Sequence, residues 1–322
     1  MENRREFLQK LAAVGIAVPA STISMAEARE SKIKNTSAAK IGPVCVFSKH
    51  LQFLDYEEMA EASVEVGFGG VEMTVRPGGH VVPERVEEDL PEMVKAIKDA
   101  GLVAPMMVTG IDSAMFTNAE ITLKLAAELG VKYYRLGYMR HDWEQPIEKN
   151  LKEMLFKMKG LNVYNKKYDI QGSYQNHDGT NLGGPIWDLW YLLMQLDSEM
   201  MGCQYDIRHN IVEGAHSWPV TLRLISPYIN TLVAKDHYWA KIKGKWRIIN
   251  CPLGEGMVDF DAYFKLVREL GVGGPITMHF EYPMTSKPEK EMKKADIRKQ
   301  VLPKMKKDLD FLNGMLTKYD LK

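Results

Sequence analysis

The chain has 322 residues, of which 45% are hydrophobic and 26% are charged, and this composition excludes the disordered and fibrous classes of protein. Lysine plus arginine equal aspartate plus glutamate at 42 each, so no overall charge attracts nucleic acid or an anionic membrane surface. We therefore expect a local site for a small molecule, with no nucleic-acid partner.

The N-terminus has the pattern of an export signal. Arg4 and Arg5 precede a short, weakly apolar stretch at 11–20 that cannot span a bilayer. The twin-arginine pair predicts a Tat signal peptide at 1–30, followed by a linker at 31–40. We expect a periplasmic protein with no membrane attachment after signal removal. The alternative is a basic amphipathic N-terminal helix.

The three cysteines carry no recognisable motif. Cys45, Cys203 and Cys251 are far apart in sequence, odd in number and without CxxC spacing. A disulfide framework and a thiolate zinc site are therefore not expected, and the thiols are predicted to be small buried side chains.

From residue 41 onward, short β-branched or aromatic runs alternate with segments of helical periodicity, a pattern typical of parallel strands joined by helices. The predicted strands are 44–48, 70–74, 103–108, 133–137, 170–176, 204–209, 231–236 and 276–281. The predicted helices are 55–67, 83–101, 118–129, 144–159, 185–196, 219–225 and 260–270, with a charged closing helix at 287–316. Eight such units are the number of a closed barrel.

An open, doubly wound sheet is the alternative fold, since it also alternates strands and helices. No GxGxxG motif follows the first strand, and no linker or shift in composition interrupts residues 41–322. The sequence therefore predicts an α/β protein with a single (β/α)8 TIM barrel over 41–322, including the closing helix.

Polar side chains recur at the C-terminal ends of the predicted strands, where barrels of this kind build their active sites. These side chains are Glu72, Arg76 and His80 at strand two, Gln175 and His177 at strand five, Asp206 and His209 at strand six, Lys235 at strand seven, and His279 and Glu281 at strand eight. Strand periodicity predicts shared faces for Gln175 with His177, for Asp206 with Arg208, and for His279 with Glu281. A carboxylate against the helices would be buried and unpaired, so Asp206 and Glu281 are expected to point inward.

In this order the residues resemble the sugar phosphate isomerase/epimerase family, the xylose isomerase-like barrels, and the resemblance covers residues 41–290. It implies a divalent metal, Mn²⁺, Mg²⁺, Co²⁺ or Zn²⁺, held by groups on strands five, six, seven and eight. The matching positions here are Gln175, Asp206 and Glu281, and the Asp-x-x-His of strand six is completed by His209. The segment around Glu255, Gly-Glu-Gly, also resembles a recurrent feature of the family.

Two positions depart from the family pattern. Gln175 stands where the family has Glu, and Val233 stands where it has the strand-seven His, so a metal site would be weak or would recruit His177 or His279. Lys235 follows Val233 by two residues, and its ammonium group could replace the metal's charge beside an enediolate oxygen.

Epimerisation or isomerisation of a sugar requires a base, its conjugate acid and a positive group at the carbonyl oxygen. Glu72, Lys235 and Glu281 are the predicted catalytic residues. The predicted substrate-binding residues are Arg76, His80, His177, His209, Glu255 and His279, and Glu255 is also an alternative second carboxylate. Trp187, Trp190 and Trp239 either stack on a sugar or pack within the fold.

We therefore expect an isomerase or epimerase acting on an unphosphorylated or oxidised sugar, because an exported enzyme rarely meets sugar phosphates. One alternative is a lyase or hydrolase of 3-keto-glycosides that uses the same acidified carbon. The other is a non-catalytic sugar-binding barrel, which the two departures from the family pattern favour.

Overall fold

A computed structural model describes residues 40–322, so the predicted signal peptide and almost all of the predicted linker lie outside the described residues. The strands are β1 (Ile41–Phe47), β2 (Gly70–Val75), β3 (Val103–Thr109), β4 (Tyr133–Arg135), β5 (Gln171–Gln175), β6 (Met201–Asp206), β7 (Ile229–Ala234), β8 (Asp236–Ile242), β9 (Lys245–Cys251) and β10 (Gly274–Met278). The helices are α1 (Tyr56–Val66), α2 (Val86–Asp99), α3 (Ala119–Glu128), α4 (Ile147–Tyr168), α5 (Trp187–Leu193), α6 (Ile207–Gly214), α7 (Trp218–Ile225), α8 (Phe260–Glu269) and α9 (Lys294–Lys318).

Eight parallel strands close into a barrel in the order β1-β10-β7-β6-β5-β4-β3-β2, while β8 and β9 form a separate antiparallel hairpin. The single TIM barrel predicted from the sequence is confirmed. Closure comes from the pairing of β1 with β10, in which Val46 lies opposite Met278. The barrel and the inner faces of its helices share one hydrophobic core.

Local sequence signals explain where helices begin and end. Asp55 caps α1, because its carboxylate accepts the Glu58 backbone N–H at 2.9 Å while the Glu58 side chain accepts the Asp55 N–H. Gly67 ends the same helix in the left-handed conformation, with φ of 101°, which glycine adopts without steric penalty.

The predicted sixth strand, 204–209, is wrong in its position. β6 ends at Asp206, whose carboxylate accepts the His209 backbone N–H at 3.2 Å and so caps α6. Arg208 and His209 therefore lie in the first helical turn, and Asp206 and Arg208 do not share a strand face. The predicted strands seven and eight are also displaced toward the C-terminus, since β7 ends at Ala234 and β10 at Met278.

The β8–β9 hairpin directly after the seventh barrel strand was not predicted. It begins at Asp236, whose buried carboxylate accepts four backbone N–H groups, those of His237 at 2.7 Å, Gly254 at 3.0 Å, Gly256 at 2.9 Å and Val258 at 3.1 Å. A β-carbon at Gly256 would lie 2.2 Å from the Asp236 carboxylate. The Gly-Glu-Gly segment therefore lies in the loop that is hydrogen-bonded to Asp236 at the start of the hairpin.

The closing helix α9 carries one buried acid. Asp308 accepts a hydrogen bond from the Tyr282 hydroxyl at 3.0 Å, and burial raises the pKa of its carboxyl to about 6. The same end of the chain seals the bottom of the barrel, where the Ile41 backbone N–H donates to the Leu321 carbonyl at 2.6 Å.

The prediction that the three thiols are buried is confirmed by the structure. Cys45, Cys203 and Cys251 are all buried free thiols. Within residues 40–322, no helix is long and apolar enough to cross a membrane.

Candidate functional site

Lys235 lies at the centre of the polar cluster in the barrel mouth. It follows β7 directly, and its Nζ atom is 3.0 Å from Asp206 Oδ2, 3.3 Å from Glu281 Oε2 and 2.6 Å from His209 Nε2. Burial opposes the charge of the ammonium, but Asp206 and Glu281 outweigh that effect and hold the pKa of Lys235 above its ordinary value. The cluster therefore contains a fixed positive charge.

Gln175 connects Asp206 to a second buried cation. Its Nε2 donates to Asp206 Oδ2 at 2.8 Å, while its Oε1 accepts from Arg135 Nη1 at 2.8 Å and from the Tyr138 hydroxyl at 2.7 Å. The Arg135 guanidinium also lies 4.9 Å from the centre of the Tyr138 ring. The amide orientation is therefore fixed, with nitrogen toward Asp206 and oxygen away from it.

Glu72 and His279 form a buried pair deeper in the barrel. The Glu72 carboxylate accepts from Gln204 Nε2 at 2.6 Å and from His279 Nε2 at 3.1 Å, and it has no exposed surface. Burial opposes ionisation of Glu72, but the hydrogen bond from His279 and the nearby Arg135 hold its pKa below the ordinary value. Burial lowers the pKa of His279, which we assign as the neutral donor. Glu72 is thus sealed within the barrel.

His209 connects Lys235 to an outer group of polar residues. Its Nδ1 contacts the Asp178 carboxylate, to which Arg208 Nη1 donates at 2.8 Å, and its ring lies 3.9 Å from that of His177. Burial and the charge of Lys235 hold the pKa of His209 well below its ordinary value. These contacts assign a neutral ring that accepts from Lys235 at Nε2 and donates to Asp178 at Nδ1.

Glu281 is the carboxylate of this cluster that solvent reaches most readily, with 28% of its side chain exposed against none for Asp206. Burial would raise the pKa of Glu281, but the Lys235 ammonium holds it well below the ordinary value. Glu281 is therefore ionised at neutral pH while it remains paired with Lys235.

Three predicted site residues make no hydrogen bond or ion pair with Lys235. Glu255 pairs with Lys307 on the outer surface and contributes nothing to the mouth, because its loop is turned toward α9. His80 contacts Thr74 Oγ1 at 3.2 Å on the rim. Arg76 follows β2, and its guanidinium lies 5.7 Å from the centre of the Phe47 ring.

Sequence reasoning missed four residues of the site. Arg135 and Tyr138 lie at the end of the fourth strand, where the same polar signal was present but unused. Asp178 follows the predicted fifth strand and had no assigned role. Asn250 accepts from Arg208 Nη2 at 2.8 Å and donates to the Glu281 carbonyl at 3.3 Å, and no signal indicated it because the hairpin itself was not predicted.

The predicted metal ligands do not fit a divalent ion. The Lys235 ammonium already lies between Asp206 and Glu281, and the Gln175 oxygen accepts two hydrogen bonds on its other side. Arg135 and Arg208 add further positive charge beside Gln175 and Asp178.

Another group of possible metal ligands consists of His177, Asp178 and His209, whose ligand atoms lie within 4.8 Å of one another. Arg208 Nη1 lies 2.8 Å from both Asp178 Oδ1 and His209 Nδ1, so a metal ion here would compete with its guanidinium. The guanidinium therefore already supplies positive charge at this second group.

The sequence matches the family model described as xylose isomerase-like TIM barrel over residues 60–300. Among curated proteins, no sequence matches this chain. Solved structures share the fold, including a 3-keto-D-glucoside 4-epimerase from E. coli, with 14% identity, a TM-score of 0.62, and coverage of 84% of this chain and 99% of that chain.

A probable 3-DHS dehydratase from Bacillus anthracis has 16% identity and a TM-score of 0.61, with 82% of this chain and 98% of that chain covered. A xylose isomerase-like TIM barrel protein from Mycobacterium smegmatis, in complex with magnesium, has 15% identity and a TM-score of 0.63, covering 87% of this chain and 98% of that chain. These structural similarities support the fold, and two of the three named neighbours are an epimerase and a probable dehydratase.

Proposed function

Because the chain belongs to the family of xylose isomerase-like TIM barrels, we propose that it is a sugar isomerase or epimerase that removes a proton from the carbon beside a carbonyl. The substrate class is an unphosphorylated or oxidised sugar. Glu281 is the base, and Lys235 is the positive group that stabilises the developing oxyanion.

The observation that carries this proposal is the contact between Lys235 and Glu281. A carbonyl oxygen beside the ammonium would place the neighbouring C–H near the carboxylate, because the two groups are only 3.3 Å apart. Positive charge held in a buried site stabilises an enediolate oxygen far better than water does. Asp206 and His209 keep the ammonium in position from behind.

Substrate binding would also adjust the strength of the base. In the free protein, Lys235 depresses the pKa of Glu281, which makes that carboxylate a weak proton acceptor. When a carbonyl oxygen takes the place of Glu281 beside Lys235, the pairing weakens and the carboxylate becomes more basic. The base is thus activated at the moment when the substrate arrives.

Epimerisation also needs a group that returns the proton to the opposite face of the carbon. Tyr138 is suited to this role, since burial keeps its hydroxyl protonated and part of its side chain is exposed; the hydroxyl would turn its proton from Gln175 Oε1 to the carbon and regain one from water. Its ring lies 5.0 Å from that of His177, which is also partly exposed. Both belong to the Gln175 side of the cluster.

The sealing of Glu72 favours a second candidate, elimination from a 3-keto-glycoside. With Glu72 buried against His279, Glu281 has no second accessible carboxylate opposite it within the described cluster. In an elimination, one carboxylate can take the proton at carbon and then give it to the departing oxygen. The fold similarity to an epimerase of a 3-keto-glucoside and to a dehydratase is compatible with either outcome.

The test is proton exchange in deuterated water with a panel of ketohexoses and 3-keto-glucosides, followed by proton NMR. We expect deuterium at the carbon beside the carbonyl; an epimeric product identifies the epimerase, and a released aglycone identifies the lyase. Glu281→Gln should lower exchange by at least about 100-fold, because an amide cannot accept the proton. Glu255→Gln is the matched control on the outer surface and should retain full exchange. Binding without exchange would leave only the sugar-binding barrel.

A further inference from the structure

The β8–β9 hairpin has one face that continues the candidate site. Its register pairs His237 with Asn250, Trp239 with Ile248, and Lys241 with Trp246. Alternate residues of a strand project to the same side, so these six residues form one face, here called the aromatic face. The two strands therefore place Trp239 and Trp246 on the same side as Asn250.

The base of the aromatic face contacts the candidate site directly. Asn250 accepts from Arg208 Nη2 at 2.8 Å and donates to the backbone carbonyl of Glu281 at 3.3 Å. His237 is buried beside it, and burial together with the charge of Arg208 lowers the pKa of its ring to about 4. The opposite face begins with Asp236, which binds the 254–258 loop instead. The aromatic face is thus the one turned toward Glu281.

The outer part of this face consists of large side chains that remain in contact with solvent. Trp239 is 41% exposed and Trp246 is 65% exposed, while Ile248, which pairs with Trp239 across the hairpin, is partly buried. A strand rises about 3.4 Å per residue, so Trp239 lies roughly 7 Å beyond His237 along the strand. Trp239 and Trp246 therefore lie farther along the hairpin than the base of the face, and both can be reached from solvent.

We infer that the aromatic face is a binding subsite for the second ring of a glycoside, stacked on Trp239 with Trp246 at its outer edge. Substrates would then be glycosides carrying a cyclic aglycone or a second sugar, rather than free monosaccharides. This inference rests on the proposed function, because the first sugar must lie beside Glu281. Ring stacking on an indole explains why two tryptophans stay exposed on a hairpin that projects from the barrel mouth.

The test compares the binding of phenyl and methyl glucopyranosides, in both anomeric forms, by isothermal titration calorimetry. In the unmodified protein, the better phenyl anomer should bind about 3- to 10-fold more tightly than the matching methyl glucoside. Trp239→Ala should remove that preference while leaving methyl glucoside affinity within about twofold. Tyr238→Ala is the matched control, since Tyr238 is 39% exposed on the opposite face of the same strand, and it should preserve the preference.

Equal affinities for phenyl and methyl glucosides would overturn the inference, as would a Trp239→Ala variant that keeps the preference. Failure to bind any of the four glucosides at about 20 mM would overturn it too. Trp246→Ala is a second test, and it should reduce the preference for phenyl over methyl glucoside by a smaller factor than Trp239→Ala does. These glucosides carry no carbonyl and need no turnover, so loss of the proposed function would appear separately, as absent deuterium exchange with the keto-sugar panel.

Discussion

Replacing Lys235 by Met removes the positive charge that the proposed chemistry requires. The change leaves Asp206 with no exposed surface and without its ammonium partner at 3.0 Å. Breaking a buried ion pair by removing one partner costs about 3–5 kcal/mol, because the remaining charge is left uncompensated. Glu281 adds little to this loss, since 28% of its side chain is exposed and water can solvate the carboxylate.

The double variant Lys235→Met/Asp206→Asn separates folding from catalysis. Removing both charges leaves a neutral pair, and Asn is as good a helix cap as Asp for α6. We expect most of the lost stability to return, so that the two changes interact by at least about 2 kcal/mol in urea unfolding. Activity should not return in the double variant. Loss of the buried cation should lower the rate of deuterium exchange about 100- to 1000-fold.

Three results would refute this reasoning. Unfolding of Lys235→Met within about 1 kcal/mol of the unmodified protein would show that the ammonium does not compensate Asp206. Full deuterium exchange in Lys235→Met would return the chemistry to a metal ion. Stability losses that simply add in the double variant would show that the pair is not coupled.

Four further predictions concern pH, packing, metal and export. The carboxyl pKa of Asp308 is about 6 in the folded protein and 3.8 in the unfolded chain, so its contribution to stability is complete below pH 3.8 and is lost as pH rises through 6. The free energy of unfolding should therefore fall by up to about 3 kcal/mol between pH 4 and pH 7. Asp308→Asn should remove this fall, and an unchanged pH dependence in that variant would contradict the prediction. Gly256→Ala places a β-carbon 2.2 Å from the carboxylate that anchors its loop and should lower the melting temperature, whereas the control Gly160→Ala, with its nearest neighbour at 3.5 Å, should not. Dialysis against a chelator should leave the rate of deuterium exchange within about twofold of the untreated protein's, because Lys235 supplies the positive charge. An activity that the chelator removes and Mn²⁺ restores would contradict this prediction. We propose export through Tat, so replacing Arg4 and Arg5 by Lys should retain the precursor in the cytoplasm, as fractionation would show, while periplasmic delivery of that variant would rule out the signal.

The fold could be predicted because its signals are local and repeated. The first βα unit shows these signals together, with an apolar strand followed by the capping Asp55 and the closing Gly67 of α1. The boundaries were less certain where a strand passes directly into a helix. Asp206 serves as the last strand residue and as a helix cap at once, so no turn sequence marks the change.

Part of the site could be predicted, because polar residues at strand ends can be recognised in the sequence. The residues that contact them across the barrel cannot. Lys235 and Glu281 could be placed at the mouth from their positions alone. The contact of Gln175 with Arg135 depends on register between neighbouring strands and on the rotation of an amide, neither of which the sequence shows. The predicted position of Glu255 was wrong, because the sequence of a loop after a strand does not show whether the loop turns toward the barrel mouth or toward α9.

The pairing of β1 with β10 has a consequence for how the chain is made. Val46 and Met278 lie side by side in the closed sheet, although more than two hundred residues separate them in sequence. Until the last strand docks, β1 and β7 both present open edges with unpaired backbone groups, which are templates for pairing with another chain. We therefore expect a partly synthesised or truncated chain that lacks β10 to aggregate more readily than the complete barrel.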